Sequence, residues 1–143
     1  MILPRAAPRV VAAVTRDLRS RITAVLPGCE LCFVQTGSEL VHALDEAHCD
    51  LMIVEVHFDD SAAVAALRCV LSREETFPVV CVRNVPFARL GHAALDSLRT
   101  ALRAVGVAQF IDLLGHPEDQ AGNERVGVML TGLLPVRAGR AAA

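Results

Sequence analysis

Glu55 is the only charge in the run Leu51–Val56 (LMIVEV), one place from its end. A carboxylate at the C-terminal end of a buried strand sits where open α/β sheets place their chemistry. Glu55 is therefore a candidate catalytic acid, the remnant of one, or a strand-end charge without a role. Cys29 and Cys32 form a CxxC, in PGCELC. A redox pair of that spacing opens a helix, whose N-terminus lowers the thiol pKa. Here it leads into an apolar, strand-like ELCFV instead. A zinc site needs two more ligands, and the nearby His48–Cys49 pair lacks their spacing. Small buried hydrophobes are the reading favoured for these thiols. His57, Asp59 and Asp60 offer metal-ligand chemistry, but acids at a loop end that cap a following helix account for them better. The loops after the apolar runs hold no glycine-rich phosphate cradle, GxSxG or GxGxxG.

These residues need a scaffold, and hydrophobic periodicity supplies one. Five short apolar runs read as strands: Arg9–Val14, Glu30–Gln35, Asp50–Val56, Pro78–Val82 and Ala108–Asp112. Runs with so little polar alternation suit strands buried on both faces of a parallel sheet. Between them lie amphipathic segments. Leu18, Ile22, Val25 and Leu26 have helical spacing, closed by Pro27-Gly28. Leu40, Ala43 and Leu44 form one face over Glu39–Ala47, with Ser38 as a candidate N-cap. A third helix follows Asp59-Asp60-Ser61, where acids suit the helix dipole. A long fourth helix spans Phe87–Val105, with Leu90, Ala94, Leu98 and Leu102 at spacings of four, and Gly106 stops it. The last helix, after Gly115-His116-Pro117, carries Val126, Met129, Leu130, Leu133 and Leu134. Five strands alternating with five helices predict a doubly wound α/β domain with helices on both faces. One domain over residues 1–134 and a flexible tail over 135–143 are expected.

The totals agree with that class. The chain has 143 residues, 53% of them hydrophobic, and no apolar stretch approaches the roughly 18–20 residues of a membrane span. The N-terminus lacks the charged-then-apolar order of a secretion signal, so a soluble, cytoplasmic protein is expected. A net charge of −2 with interspersed signs argues against a nucleic-acid surface. All 14 basic residues are arginine, so no lysine is available for any chemistry. Five cysteines, an odd number, suit reduced thiols better than a disulfide framework.

Over roughly residues 9–134 the chain resembles a response-regulator receiver domain. TGSELVHALDEAHCDLMIVEV carries the resemblance best: a small-Gly turn, an amphipathic helix, then Asp-Leu before the third strand. FPVVCV resembles the family's fourth strand, and GVAQFIDLLGHPED its fifth strand and exit. The resemblance implies a flavodoxin-like (βα)5 fold with strand order 2-1-3-4-5. Receivers end the third strand with a phosphoacceptor aspartate, and Glu55 stands there. They end the first strand with an acidic pair that binds Mg²⁺. Ala13 and Val14 stand there, or Thr15 and Arg16 in a register shifted by two, with Asp17 the only acid close by. The hydroxyl that ends the fourth strand is Arg83, and the lysine that ends the fifth is Leu113. The aromatic switch position of the fifth strand is kept, as Phe110.

Phosphoryl transfer depends on positioning and on cations that neutralise developing charge. A lone carboxylate holds Mg²⁺ poorly, and glutamate is one methylene longer than aspartate. What the resemblance implies is a degenerate pseudo-receiver: no enzyme, no cofactor or metal, and a module of a bacterial two-component or phosphorelay pathway. Its partner would be a histidine kinase, a regulator, an output protein or a second copy, met through the fourth helix, fifth strand and fifth helix. A small-ligand-binding or enzymatic flavodoxin-like domain, using the strand-end loops, is the alternative. Because the third and fourth strands are neighbours in this fold, an ion pair between Glu55 and Arg83 is expected, fixing Asn84–Phe87.

Overall fold

The computed structural model describes residues 6–56, 58, 63–84 and 92–135. Five parallel strands form one sheet in the order β2-β1-β3-β4-β5. They are β1 (Arg9–Ala13), β2 (Glu30–Val34), β3 (Leu51–Glu55), β4 (Val79–Arg83) and β5 (Gln109–Asp112). The helices are α1 (Arg19–Val25, entered through a 3-10 turn at Arg16–Leu18), α2 (Gly37–Glu46), α3 (Ala63–Leu71), α4 (His92–Ala104) and α5 (Gln120–Thr131). The doubly wound order and the alternation are those expected from the sequence.

The central strands read as unbroken apolar runs because both faces are covered. Successive side chains alternate between two cores. Val11, Ala13, Met52, Val54 and Cys81 pack toward Leu40, Leu44, Leu67 and Val70 of α2 and α3. Val10, Ala12, Ile53, Val80 and Val82 pack toward Leu18, Ile22, Val126 and Leu130 on the side of α1 and α5. Each fully buried Leu, Ile or Val contributes about 1.5–3 kcal/mol, so these two layers are the main source of stability.

Local chemistry sets the element ends. Thr36, rather than Ser38, caps α2: its hydroxyl accepts from the Glu39 amide at 3.1 Å. Glu39 reaches back to the Gln35 amide at 2.7 Å, so two backbone donors are satisfied together. Gly106 adopts φ +103°, a left-handed conformation that only glycine takes without strain, and so ends α4. The expected helix start at Phe87 lies outside the described residues, and the tail beyond Pro135 likewise. At the opposite end of the sheet, Asp50 accepts from the Arg9 amide at 2.8 Å. The Arg9 guanidinium donates to the Ala43 and Ala47 carbonyls at the end of α2. That arrangement ties β1 to the α2–β3 connection and fixes the register of the strand carrying Glu55.

Candidate functional site

Glu55 is the last residue of β3 and has no solvent exposure. Its Oε2 accepts a short hydrogen bond, 2.6 Å, from the Thr15 amide just beyond β1. Its Oε1 has no hydrogen-bond partner among the described residues. Burying a carboxylate costs several kcal/mol unless hydrogen bonds or charges offset it, and one charge-assisted bond is a partial offset.

The neighbours give little help. Val14 (1% exposed) and Leu113 (2%) belong to the core on the α1/α5 side, and Ala13 is buried against the other. Neither Ala13 nor Val14 has a side-chain oxygen to offer a cation. In the shifted register, Thr15 presents its backbone amide to Glu55, and neither Thr15 nor Arg16 carries a carboxylate for a cation. Among the described residues no group of three His, Cys, Asp or Glu could hold a metal ion. Among the described residues, therefore, the Mg²⁺ that the receiver resemblance implies finds no fitting set of ligands.

Arg83 does not pair with Glu55, which corrects the sequence-based expectation. The register partner of Glu55 in β4 is Val82. Arg83 is one residue further on, and successive strand residues point to opposite faces. Its own partner across β4 and β5 is Asp112. There Nε and Nη2 donate to the two carboxylate oxygens at 3.0 and 2.6 Å, a forked ion pair. Asp112 Oδ1 also accepts from the Leu114 amide at 3.1 Å and so caps the 3-10 turn Leu113–Gly115. Burial pushes the Asp112 carboxyl up, but the Arg83 fork, the Leu114 amide and the charges of Arg83 and Arg99 outweigh it and hold it below its ordinary value. Phe110 is half-buried against the α2/α3-side core, with the Arg99 guanidinium 5.4 Å from its ring centroid.

Two charged residues of this end were not singled out from the sequence. Asp112 is the only carboxylate of β5, and aligning the two strand ends would have set it beside Arg83. Arg21 lies at the position between Leu18 and Ile22 on the buried stripe of α1, and that placement was its signal. It is 4% exposed. It donates to Asn123 Oδ1 on α5 (3.1 Å) and to the Pro117 (3.2 Å), His116 and Leu113 carbonyls, fastening the β5–α5 connection to α1.

The other sequence candidates are spread apart. Cys29 packs against the α1/α5-side core and Cys32 against the opposite one, so the two thiols of the CxxC lie on opposite faces of the sheet. Both are free. His48 has Nε2 3.1 Å from Asp50 and Nδ1 3.0 Å from Glu75, far from Glu55 at the other end of the strand. Cys49 is buried, with Sγ 3.2 Å from the Leu51 carbonyl. His57, Asp59 and Asp60 lie outside the described residues.

One helix is seated differently from the rest. Among the described residues α1, α2, α3 and α5 each bury several side chains, whereas none of α4 is fully buried: Leu95, Leu98 and Leu102 are half-buried, Leu102 against the α2/α3-side core. A cavity of about 220 Å³ lies between α4 and β5, lined in part by Arg99, Leu102, Arg103, Gln109 and Phe110.

Compared by sequence, the chain matches no family model and no curated protein. Solved structures do match its fold. A response regulator from Hahella chejuensis superposes with a TM-score of 0.71 at 18% identity, over 91% of this chain and 97% of that one. A signal receiver domain of an HD domain-containing protein from Pseudomonas fluorescens Pf-5 gives 0.68 at 13% identity, over 94% and 91%. An orphan response regulator of H. pylori gives 0.66 at 13% identity, over 92% and 100%. In strand order, layer arrangement and extent, the chain has the fold of response-regulator receiver domains.

Proposed function

We propose that the chain is a pseudo-receiver, a non-enzymatic module that is never phosphorylated and acts by binding another protein of a two-component-type pathway. The observation that carries this reading is the burial of Glu55. Its carboxylate is closed off from solvent and held by the Thr15 amide. An acceptor of a phosphoryl group has to meet its donor in line and beside a cation. Neither condition is served here, since Ala13 and Val14 cannot ligate Mg²⁺ and Leu113 carries no charge.

The partner surface is the one formed by α4 and β5. The incompletely buried Leu95 and Leu98, the exposed Arg99 and Arg103 and the half-buried Phe110 support it, because an amphipathic helix normally buries its apolar stripe. A histidine kinase, a regulator or an output protein fits this role, at a cytoplasmic site.

Two measurements test the reading. Incubation with acetyl phosphate and Mg²⁺, followed by intact-mass measurement, is expected to leave the mass unchanged. A stoichiometric gain of one phosphoryl group overturns the reading. Capture of binding proteins from the native host by the wild-type chain, compared with Leu98→Glu, is expected to lose the partner in the variant. Equal recovery by both places the partner surface elsewhere.

A further inference from the structure

Helix α4 sets two arginines on one face. Arg99 and Arg103 are exposed and four residues apart, and both line the cleft of about 220 Å³ between α4 and β5. Like charges at that spacing repel and weaken a helix. Arg103 lies in the last turn, where a cation suits the helix dipole; Arg99 is a full turn earlier, beyond the reach of that effect. Among the described residues neither has a salt-bridge partner, although Asp96 is on the same helix. The charge of Asp112 acts on Arg99, but both Asp112 oxygens are already taken by the Arg83 fork. Arg99 has a seat instead, its guanidinium 5.4 Å from the Phe110 ring centroid. Such a contact fixes the planar group while its edge N–H donors stay free. Gln109 adds a side-chain amide to the cleft, and Leu102 and Phe110 add apolar lining.

We propose that this cleft binds a small phosphate-bearing anion, held between Arg99 and Arg103. Two guanidinium groups without counter-charges match the nearly two negative charges of a phosphate ester, and each can donate paired N–H bonds to its oxygens. A monocarboxylate would neutralise only one of them. Size narrows the class further. The cleft is smaller than the roughly 300–1,000 Å³ of pockets for drug-sized ligands, so it suits a phosphate with few attached atoms rather than a nucleotide. The Gln109 amide offers both a donor and an acceptor to those atoms. Seating Arg99 on Phe110 reduces the side-chain freedom lost on binding. Both arginines remain in contact with water, which screens their charge, so the affinity is modest, with a Kd of about 0.1–1 mM. Binding here is independent of whether Glu55 can be phosphorylated. A phosphate held by guanidinium groups is non-covalent and leaves on unfolding, unlike a phosphoryl group on a side chain.

Titration of the full chain with inorganic phosphate and, separately, glycerol 3-phosphate tests it, followed by amide NMR shifts at constant ionic strength up to about 20 mM ligand. Saturable shifts centred on Arg99–Phe110 are the expected result. The tighter of the two ligands tells whether the cleft takes the free ion or a phosphorylated small molecule. Arg99→Gln and Arg103→Gln should each raise Kd about tenfold. Arg99→Lys keeps the charge but loses the flat group over Phe110, and should raise Kd about threefold or more. Arg125→Gln removes an exposed arginine on α5 and should leave Kd unchanged. Because all three arginines are exposed, circular dichroism of the variants should match wild type, which separates a lost site from a lost fold. Absence of saturation with both ligands overturns the proposal, as does an equal loss of binding in Arg125→Gln. Succinate binding as tightly as either phosphate, or chloride displacing them at matched ionic strength, would reduce the cleft to a patch of general positive charge and overturn it equally.

Discussion

Arg83 and Asp112 meet across the last register step of β4 and β5 in a forked ion pair, while Glu55, on the next strand, faces Val82. The two strand-end carboxylates thus have opposite fates. Asp112 has two guanidinium donors and a backbone amide; Glu55 has one amide. The ends of β4 and β5 are fastened to each other by charge, and Asp112 extends that fastening to the turn after β5. In the receivers that the chain resembles, these strand ends carry a hydroxyl and a lysine directed at the phosphoryl group. Here the cation is turned aside and used within the fold.

The fork should be measurable as coupling. Arg83→Gln and Asp112→Asn are each expected to destabilise the protein by about 2–3 kcal/mol, since each breaks a mostly buried, forked ion pair. A double-mutant cycle should return a coupling of roughly 1–3 kcal/mol. For a chain of this size each kcal/mol moves the thermal midpoint by about 2–4 °C, so calorimetry resolves it. Strict additivity of the two substitutions would show that the pair does not hold β4 to β5.

The same pair predicts a pH dependence. The Asp112 carboxyl is lowered in the folded protein from the 3.8 it has without structure. A depressed folded pKa contributes stability that is fully present above the unfolded value and is lost as pH falls through the folded one. The stability difference between wild type and Asp112→Asn should therefore be constant from neutrality to about pH 5 and shrink below pH 4. Urea unfolding at a series of pH values reads it directly. A difference that grows on acidification has the wrong sign for this account.

Restoring the aspartate alone should not restore chemistry. Glu55→Asp returns the side chain that receivers use, yet Ala13, Val14 and Leu113 still offer neither metal ligands nor a cation. No phosphoryl gain from acetyl phosphate and Mg²⁺ is expected. The shortened carboxylate should also draw away from the Thr15 amide and leave a methylene-sized gap, at a cost of about 1–2 kcal/mol. A phosphorylated Glu55→Asp variant would mean that one methylene was the whole defect.

Much of the scaffold was legible in the sequence. Unbroken apolar runs such as Leu51–Val54 and Val79–Val82 announce strands buried on both faces, and helical spacings such as Leu40–Leu44 announce the cover. The pairing of the strand ends was not legible. That β3 and β4 are neighbours says that Glu55 and Arg83 are close along the sheet, but not that they share a face. A register step of one residue decides the face, and it sent Arg83 to Asp112. Arg21 was missed for a related reason. A charged residue in an apolar stripe reads as a break in the stripe until the carbonyls that receive it are in view. Capping was misplaced by two residues, from Ser38 to Thr36, because three small polar or flexible residues in a row offer the helix several starts.

The glycines of α5 make a graded prediction. A Cβ at Gly122 would run into the Pro117 carbonyl oxygen, and one at Gly127 would come within 2.9 Å of the Val25 carbonyl oxygen. Both obstacles are backbone atoms, which cannot swing aside. Alanine normally favours a helix by about 1 kcal/mol over glycine, so a loss at either site isolates the steric cost. Gly122→Ala is expected to destabilise by about 2–4 kcal/mol and Gly127→Ala by roughly 1–2. Gly28→Ala, where nothing lies within 4 Å, serves as the neutral control. Thermal midpoints in the order Gly28→Ala, Gly127→Ala, Gly122→Ala, from highest to lowest, are the expected reading.

Thiol reactivity provides the last prediction. Burial pushes the Cys81 thiol up to about 12 and raises that of Cys49 as well. The thiolate is the reactive form, so neither should be modified at pH 8 while the protein is folded. Cys29, Cys32 and Cys69 are partly exposed and should react with iodoacetamide one after another. Mass spectrometry under native conditions should therefore show at most three alkyl groups, and five after unfolding in guanidinium. Because Cys29 and Cys32 face opposite cores, mild oxidation should not join them, for a disulfide needs Cβ atoms about 3.5–4.5 Å apart. Nor should the protein carry stoichiometric zinc. A Cys29–Cys32 disulfide formed without loss of the folded circular dichroism signal would show that the start of β2 is not held as described, and one zinc per chain would give the CxxC the metal-binding role that its placement argues against.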